Sequence, residues 1–200
     1  MAGAHEHIEH AEEAEHIAGS NKKIALLISV LALFLAFAET LGKSAQTEGL
    51  RANIESANLW AFYQAKHMRE TTLRTAAELV QLDLSATGDT DAKAAKEKRI
   101  NSWLKTAERY QSDPEKQEGR KELEERARDK EHERDRAFAE YHHYEIASAA
   151  LQIGIVLASA SVITSMFVLA WLGGGLGVLG VILMAVGYYA PNALHGLHFI

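Results

Sequence analysis

The placement of charged residues constrains this chain more than any other feature of its sequence. No Asp, Glu, Lys or Arg occurs after Glu145, so the last 55 of the 200 residues carry no charge apart from that on histidine. A soluble domain of that size is not expected to lack charge, and we therefore expect this part of the chain to lie in a membrane. The prediction is two transmembrane helices at residues 146–172 and 173–190, a turn at Gly173–Gly175, and a C-terminal tail over residues 191–200.

A second uncharged run, IALLISVLALFLAFA, covers residues 24–38. At about 1.5 Å per residue it reaches roughly 22 Å, which is short of a hydrocarbon core of about 30 Å. Lys22 and Lys23 can extend their charged ends to the headgroups on one side, and residues 40–42 can lengthen the run on the other. We predict a first transmembrane helix over residues 22–42. Because the residues before it are acidic, we interpret it as an uncleaved signal anchor.

The charged middle of the chain, residues 43–145, is predicted to be an extramembrane helical hairpin. It holds 19 of the 21 Lys and Arg together with a similar number of acids, so it lacks the one-signed basic face that binds nucleic acid. A turn is expected near residues 85–91 (SATGDTD) and a break near residues 112–114, with Asp113 as N-cap and Pro114 at the first helical position. Apolar residues recur at three- and four-residue steps along the first arm, as in an amphipathic helix: Leu50, Ile54, Ala57, Ala61, Ala65, Met68, Thr72, Ala76 and Leu79.

The fold class that follows is an all-α membrane protein with three transmembrane helices and a long antiparallel hairpin between the first and the second. Small residues spaced by four allow close packing of helices in lipid, either within one chain or between subunits. Together with aromatic bulk on the first arm, they give these candidate interface residues: Gly154, Ala158, Gly173, Gly177, Trp60, Phe62 and Tyr63. Polar residues among apolar ones could line a path through an oligomer: Glu39, Gln152, Ser159, Ser161, Thr164 and Ser165.

Histidines suggest two places where a metal could bind. Residues 1–21 form a polar, His- and Glu-rich tail, in which imidazoles could hold zinc, copper or nickel; the simpler interpretation is a solvated tail. Glu140 and His143 form a Glu-x-x-His pair, but a diiron bundle needs two such pairs and two further glutamates on facing helices. The candidate metal ligands are therefore those of the tail: His5, His7, His10 and His16.

The chemistry of most enzyme classes has no counterpart in this sequence. Nothing resembles a nucleophile with its base, a phosphate-binding glycine loop or a dinucleotide fingerprint. There is no cysteine, which excludes disulfides and thiolate metal sites. We expect no enzymatic activity, no catalytic residue and no cofactor.

Two passages are similar to a known family. AETLGKSAQTEGL..NIESANLWAFYQAK, within residues 38–66, and ALQIGIVLASASVIT, residues 150–164, resemble the bacterial membrane-protein family of domain of unknown function 4337. The resemblance implies an inner-membrane protein with no assigned activity, and no catalytic residue to carry over. Basic residues often follow the second span in that family, whereas residues 165–175 of this chain have none.

Three functions are consistent with these features. The first is a non-enzymatic, self-associating scaffold or envelope protein whose partners are membrane lipid and further copies of itself, with any other protein partner unknown. The second is a subunit of an oligomeric channel or transporter, and the third is a metal sensor or buffer acting through the tail. Lys22 and Lys23 favour a cytoplasmic N-terminus and hence a periplasmic hairpin, although Lys43, Arg134 and Arg136 favour the opposite.

Overall fold

The computed structural model describes the backbone of residues 3–84 and 88–191, and the side chains of these residues from Lys22 onward. It contains four helices: α1 (Gly3–Leu84), α2 (Thr90–Gln111), α3 (Arg120–Thr164) and α4 (Phe167–Tyr189). No strand occurs within these described ranges. The prediction of an all-α chain is confirmed.

Three of the helices are long and apolar enough to cross a membrane: α1 from Lys22 onward, α3 and α4. In the apolar window of each, at most 33% of the residues are buried inside the protein. Apolar helix surface that the protein leaves uncovered needs an apolar solvent, and a bilayer provides one. The prediction of three membrane-length helices is confirmed in this sense.

The chain divides into two compact units. The span unit comprises residues 1–48 and 136–200, and the hairpin unit comprises residues 49–135. Leu31, Ala38 and Leu151 form the buried centre of the span unit. Five partly buried side chains pack around that centre: Leu27, Phe34, Leu35, Ile155 and Met184.

Contacts in the hairpin unit pair α1 with α2 and α3 in antiparallel order. Lys96 of α2 meets Asp83 near the end of α1 at 2.7 Å. Further back along α1, Glu70 meets Arg120 at the start of α3. Trp60, earlier still, bonds Glu131 of α3 at 2.8 Å. Residues that come later in α2 and α3 thus contact residues that come earlier in α1, so the two arms of the hairpin are antiparallel.

The interruption between α2 and α3 is longer than predicted. It extends from Ser112 to Gly119, so Asp113 does not cap α3 and the helix does not resume at Pro114. The Glu122 carboxylate accepts hydrogen bonds from the Ser112 hydroxyl at 2.6 Å and from the backbone N–H of Asp113 at 3.3 Å, which holds the loop against the first turn of α3. A Cβ at Gly119 would collide with the backbone of Ser112 and Asp113, so only glycine permits this close approach.

The predicted turn at Gly173–Gly175 is wrong. The chain turns at Ser165, whose φ is 58°, and at Met166, and α4 carries the glycines in its interior. The second and third membrane-length helices therefore end and begin near residue 165 rather than 173. The physical reason is packing: a Cβ on Gly173 would lie 2.5 Å from the carbonyl oxygen of Gly154, so glycine here brings two helices together instead of reversing the chain.

Candidate interaction surface and polar groups

In the hairpin unit, α1 buries one face, which we call the inner face. Its buried members are Ala52, Ser56, Lys66, Glu70 and Ala77. Residues 52 and 56, and 66 and 70, are four apart, and 52 and 66, like 56 and 70, are two heptads apart; this is the pattern by which a helix meets a neighbour in a coiled coil. Three of the five are polar, so this face is held by hydrogen bonds and charge pairs as much as by apolar burial.

Glu70 is the centre of the polar contacts on the inner face. With a relative exposure of 7%, it accepts hydrogen bonds from Arg120 Nη1 at 2.8 Å and from Arg74 Nε at 3.0 Å. Burial alone would raise the pKa of Glu70, but the bonds and charges of the two guanidinium groups outweigh it and hold that pKa below its ordinary value. Arg120 also donates to the Tyr63 hydroxyl at 2.9 Å and lies 5.0 Å from the centre of its ring.

Lys66 is the second charge on the inner face, with 8% exposure. Its ammonium lies 5.0 Å from the centre of the Phe62 ring and 5.2 Å from that of Tyr110 on α2. Glu118 supplies the opposite charge at 3.6 Å. A buried cation needs such compensation, because desolvation of an unpaired ammonium costs several kcal/mol.

The opposite side of α1 carries an exposed, mostly apolar surface that we call the outer stripe, defined by Ile54, Ala61, Met68, Thr75 and Leu82. These residues follow one another at intervals of seven, and all five are exposed. The three large side chains expose 61%, 70% and 74% of their surface, in chain order. Leu50 and Leu79, which are also more than half exposed, flank them.

Shallow grooves run beside the outer stripe. One of about 490 Å³ is lined by Ala65, Met68 and Thr72 of α1 and by Tyr110 of α2. The amphipathic pattern found in the sequence corresponds mainly to this exposed side of the helix. The inner face, which packs inside the hairpin unit, could not be found from the apolar pattern because Ser56, Lys66 and Glu70 are polar.

The predicted interface aromatics make contacts within the hairpin unit. Trp60 donates its indole N–H to Glu131 and meets Tyr63 edge to face, with ring centres 5.4 Å apart. Tyr63 accepts from Arg120, and the Phe62 ring lies against Lys66. These rings stabilise the fold of the unit, while their role between subunits stays a prediction.

The predicted small residues lie between helices of the span unit. A Cβ on Gly154 would be 2.8 Å from the carbonyl oxygen of Gly173, and one on Gly173 would be 3.5 Å from the Ala158 side chain. The Leu31 side chain of α1 occupies the space that a Cβ on Gly177 would need. The structure therefore brings Gly154, Ala158 and Gly173 together within one chain, and it packs Gly177 closely against Leu31.

The candidate path residues are only partly brought together. Gln152 donates to the Glu39 carboxylate at 3.4 Å, linking α3 to α1 on an exposed surface. The hydroxyls of Ser159 and Thr164 donate to carbonyls one turn back in their own helix, at 2.8 Å each. Ser161 is buried, and its hydroxyl has no hydrogen-bond partner among the described residues, whereas Ser165 is exposed at the turn.

Among the described side chains of the span unit, His143 is the most buried titratable group, with 1% exposure. Its Nε2 lies 2.9 Å from the carbonyl oxygen of Pro191, just after α4, which fits a donated N–H. Its Cβ lies 2.8 Å from where a Cβ of Gly187 would be, so α4 packs directly on the ring's base. Glu140, its partner in the Glu-x-x-His pair, instead accepts from Arg136.

The predicted metal ligands cannot be placed. His5, His7, His10 and His16 lie outside the residues whose side chains are described. Within the part that is described, no group of three or more His, Asp or Glu side chains is arranged to hold a metal ion.

The fold and these surfaces define a helical protein with three membrane-length apolar helices and a charged helical hairpin in the sequence between the first two. Residues 20–190 match the family model described as Domain of unknown function (DUF4337). The match covers most of the chain, which therefore belongs to that family, as the two quoted passages predicted. No curated protein and no solved structure matches the sequence.

Proposed function

We propose that this protein is a non-enzymatic, multi-pass inner-membrane protein that associates with copies of itself through the outer stripe of α1. The observation that carries the proposal is the seven-residue spacing of the outer stripe, in which four of the five exposed side chains are apolar, opposite the buried inner face. A single exposed leucine is ordinary on a protein surface, but a repeated apolar line at this spacing is the signature of a coiled-coil partner.

The energetics favour an occupied stripe. Removing a large apolar side chain such as Ile54, Met68 or Leu82 from water is worth about 1.5–3 kcal/mol when it is complete. With more than half of each side chain exposed, pairing would gain about 1 kcal/mol or more per residue. Copies already confined to one membrane lose less freedom on pairing than free molecules do. A second copy is the occupant we propose, because it carries the same line at the same spacing.

The hairpin unit lies in the sequence between the first and second membrane-length helices, so we place it on one side of the bilayer. Lys22 and Lys23 beside the first of these helices favour a cytoplasmic N-terminus, and the hairpin unit would then be periplasmic. An Ala94→Cys variant tests this, since Ala94 is exposed on α2 and the chain has no native cysteine. A membrane-impermeant maleimide should label it in intact cells. Labelling only after lysis would reverse the proposed sidedness.

The mass of the particle in mild detergent tests the association. The wild-type protein should form a dimer or a higher oligomer, and an Ile54→Glu/Met68→Glu variant should be a folded monomer because it places charges along the outer stripe. Asn53→Glu/Asn101→Glu is the matched control: both residues are exposed in the hairpin unit, off the stripe, and the variant adds the same charge. A wild-type protein that stays a monodisperse monomer at high concentration contradicts the proposal. So does a control that dissociates as fully as the stripe variant.

A further inference from the structure

A groove of about 620 Å³ lies in the span unit between the start of the first membrane-length helix and the first half of α4. Leu27 of α1 and Trp171 of α4 form two of its walls, Gly174 and Gly175 form its floor, and Lys23 lies at its end. Apart from that lysine, the lining is almost wholly apolar. The groove is therefore suited to a hydrocarbon chain and not to a polar solute.

The floor of the groove is made by glycines that helix packing does not need. Nothing lies within 4 Å of where a Cβ of Gly175 would be, and the nearest atom to one on Gly174 is a Leu27 methyl at 4.0 Å. Gly173 and Gly177, in contrast, have the space beside them filled by neighbouring helices. Within this glycine-rich segment, Gly173 and Gly177 thus make contacts between helices, whereas Gly174 and Gly175 leave an open trough.

Positive charge lies at one end of this trough. Lys22 and Lys23 are both exposed at the start of the first membrane-length helix. The next acid along α1 is Glu39, about 24 Å further on at the helical rise. Trp171 is 82% exposed beside the groove, which suits an indole at the level of the lipid headgroups. An apolar trough that ends at Lys23, with exposed Lys22 next to it in the sequence, matches a molecule with a hydrocarbon chain and an anionic head.

We propose that this groove binds an anionic phospholipid, with one acyl chain lying over Gly174 and Gly175 and the phosphate at Lys22 and Lys23. The charge of the two lysines selects the headgroup, and the missing side chains of the two glycines admit the chain. The proposal requires the membrane placement given above but not the association through the outer stripe.

Quenching of Trp171 by brominated lipid tests the site. The full-length protein is reconstituted in phosphatidylcholine vesicles that contain increasing fractions of brominated phosphatidylglycerol or brominated phosphatidylcholine. The signal of a Trp171→Phe variant gives the background from Trp60 and Trp103. In the wild type, half-quenching should need a roughly five- to twentyfold lower fraction of the anionic lipid, since each lysine near the surface contributes about fivefold.

Two variants separate a site from general attraction to the surface. Lys22→Gln/Lys23→Gln should remove the preference between headgroups. Gly175→Leu should fill the groove and weaken quenching by the anionic lipid, and it should fold because its side chain meets open space. Val156→Leu, at a position 65% exposed on α3, should behave as wild type.

Equal quenching by the two lipids in the wild-type protein overturns the proposal. A headgroup preference that survives Gly175→Leu unchanged also overturns it, because lipid would then only surround the protein without entering the groove. Repeating the measurement in the Ile54→Glu/Met68→Glu variant separates the two proposals. The lipid site should persist there even where association is lost.

Discussion

Replacement of Glu70 by glutamine would show how much the polar inner face contributes to the hairpin unit. The substitution preserves the shape of the side chain and one acceptor oxygen, but it removes the charge that faces two guanidinium groups at 2.8 and 3.0 Å. Loss of one partner of a buried ion pair typically costs about 3–5 kcal/mol. Arg120 keeps its bond to Tyr63 and about a quarter of its side chain in water, so we expect a smaller loss of about 2–3 kcal/mol.

Hydrogen exchange of the full-length protein in detergent measures this loss locally. Backbone amides of α1 near Glu70 should exchange roughly 30- to 150-fold faster in Glu70→Gln, since each 1.4 kcal/mol corresponds to a factor of ten. Glu78→Gln is the control, because Glu78 is exposed on the same helix and surface substitutions usually change stability by less than about 0.5 kcal/mol. If the two variants exchange at the same rate, the inner face is not held by this ion pair and the reasoning fails.

Two further predictions follow from the same contacts. The pKa values of Glu70 and Glu122 are both below the ordinary 4.5, despite burial that would raise them, because hydrogen-bond donors surround the carboxylates; for Glu122 these are the Ser112 hydroxyl and backbone N–H groups. The unfolded chain then takes up protons first, so this stability is complete above about pH 4.5 and is lost as the pH falls through the lower folded-state values. After correction for intrinsic rates, amide exchange in the hairpin unit should stay constant from pH 7 to 5 and become faster at lower pH. A loss of protection centred near neutral pH would contradict this prediction. In the span unit, Gly177→Leu should lower the thermal unfolding midpoint in detergent because Leu31 occupies that space, whereas Gly175→Leu should not; equal midpoints would show that the packing of α4 on α1 tolerates a side chain there.

The three membrane-length helices could be predicted from the sequence because long runs without charged residues identify them, and this signal does not depend on which residues pack nearby. The sequence was insufficient for the turn between α3 and α4. A run of three glycines predicts a turn in a soluble protein, but Gly173 lies at the contact with Gly154, and the chain reverses at Ser165 without any glycine. Both uses of glycine depend on the missing Cβ, and only the position of the neighbouring helix distinguishes them.

The candidate surfaces show a similar division. The outer stripe could be found in part from the sequence because Ile54, Ala61 and Met68, all exposed, repeat at seven-residue steps along the helix. The inner face could not, since Glu70 is polar and its burial depends on Arg120, which lies fifty residues away in the sequence. A pairing of that kind leaves no periodic signal. The bond from His143 to Pro191 was missed for the same reason.

The most direct test of the outer stripe is disulfide cross-linking of full-length protein in native membranes, since the chain contains no cysteine of its own. Met68→Cys places a thiol on the stripe, and Arg69→Cys places one on the next residue, which is also exposed but about 100° around the helix. Ile54→Cys and Asn53→Cys form a second matched pair. If copies associate in parallel through the stripe, Met68→Cys and Ile54→Cys should form disulfide-linked dimers under mild oxidation, and their neighbours should not. Cross-linking that is absent at all four positions, or equal within each pair, would contradict the association proposed here.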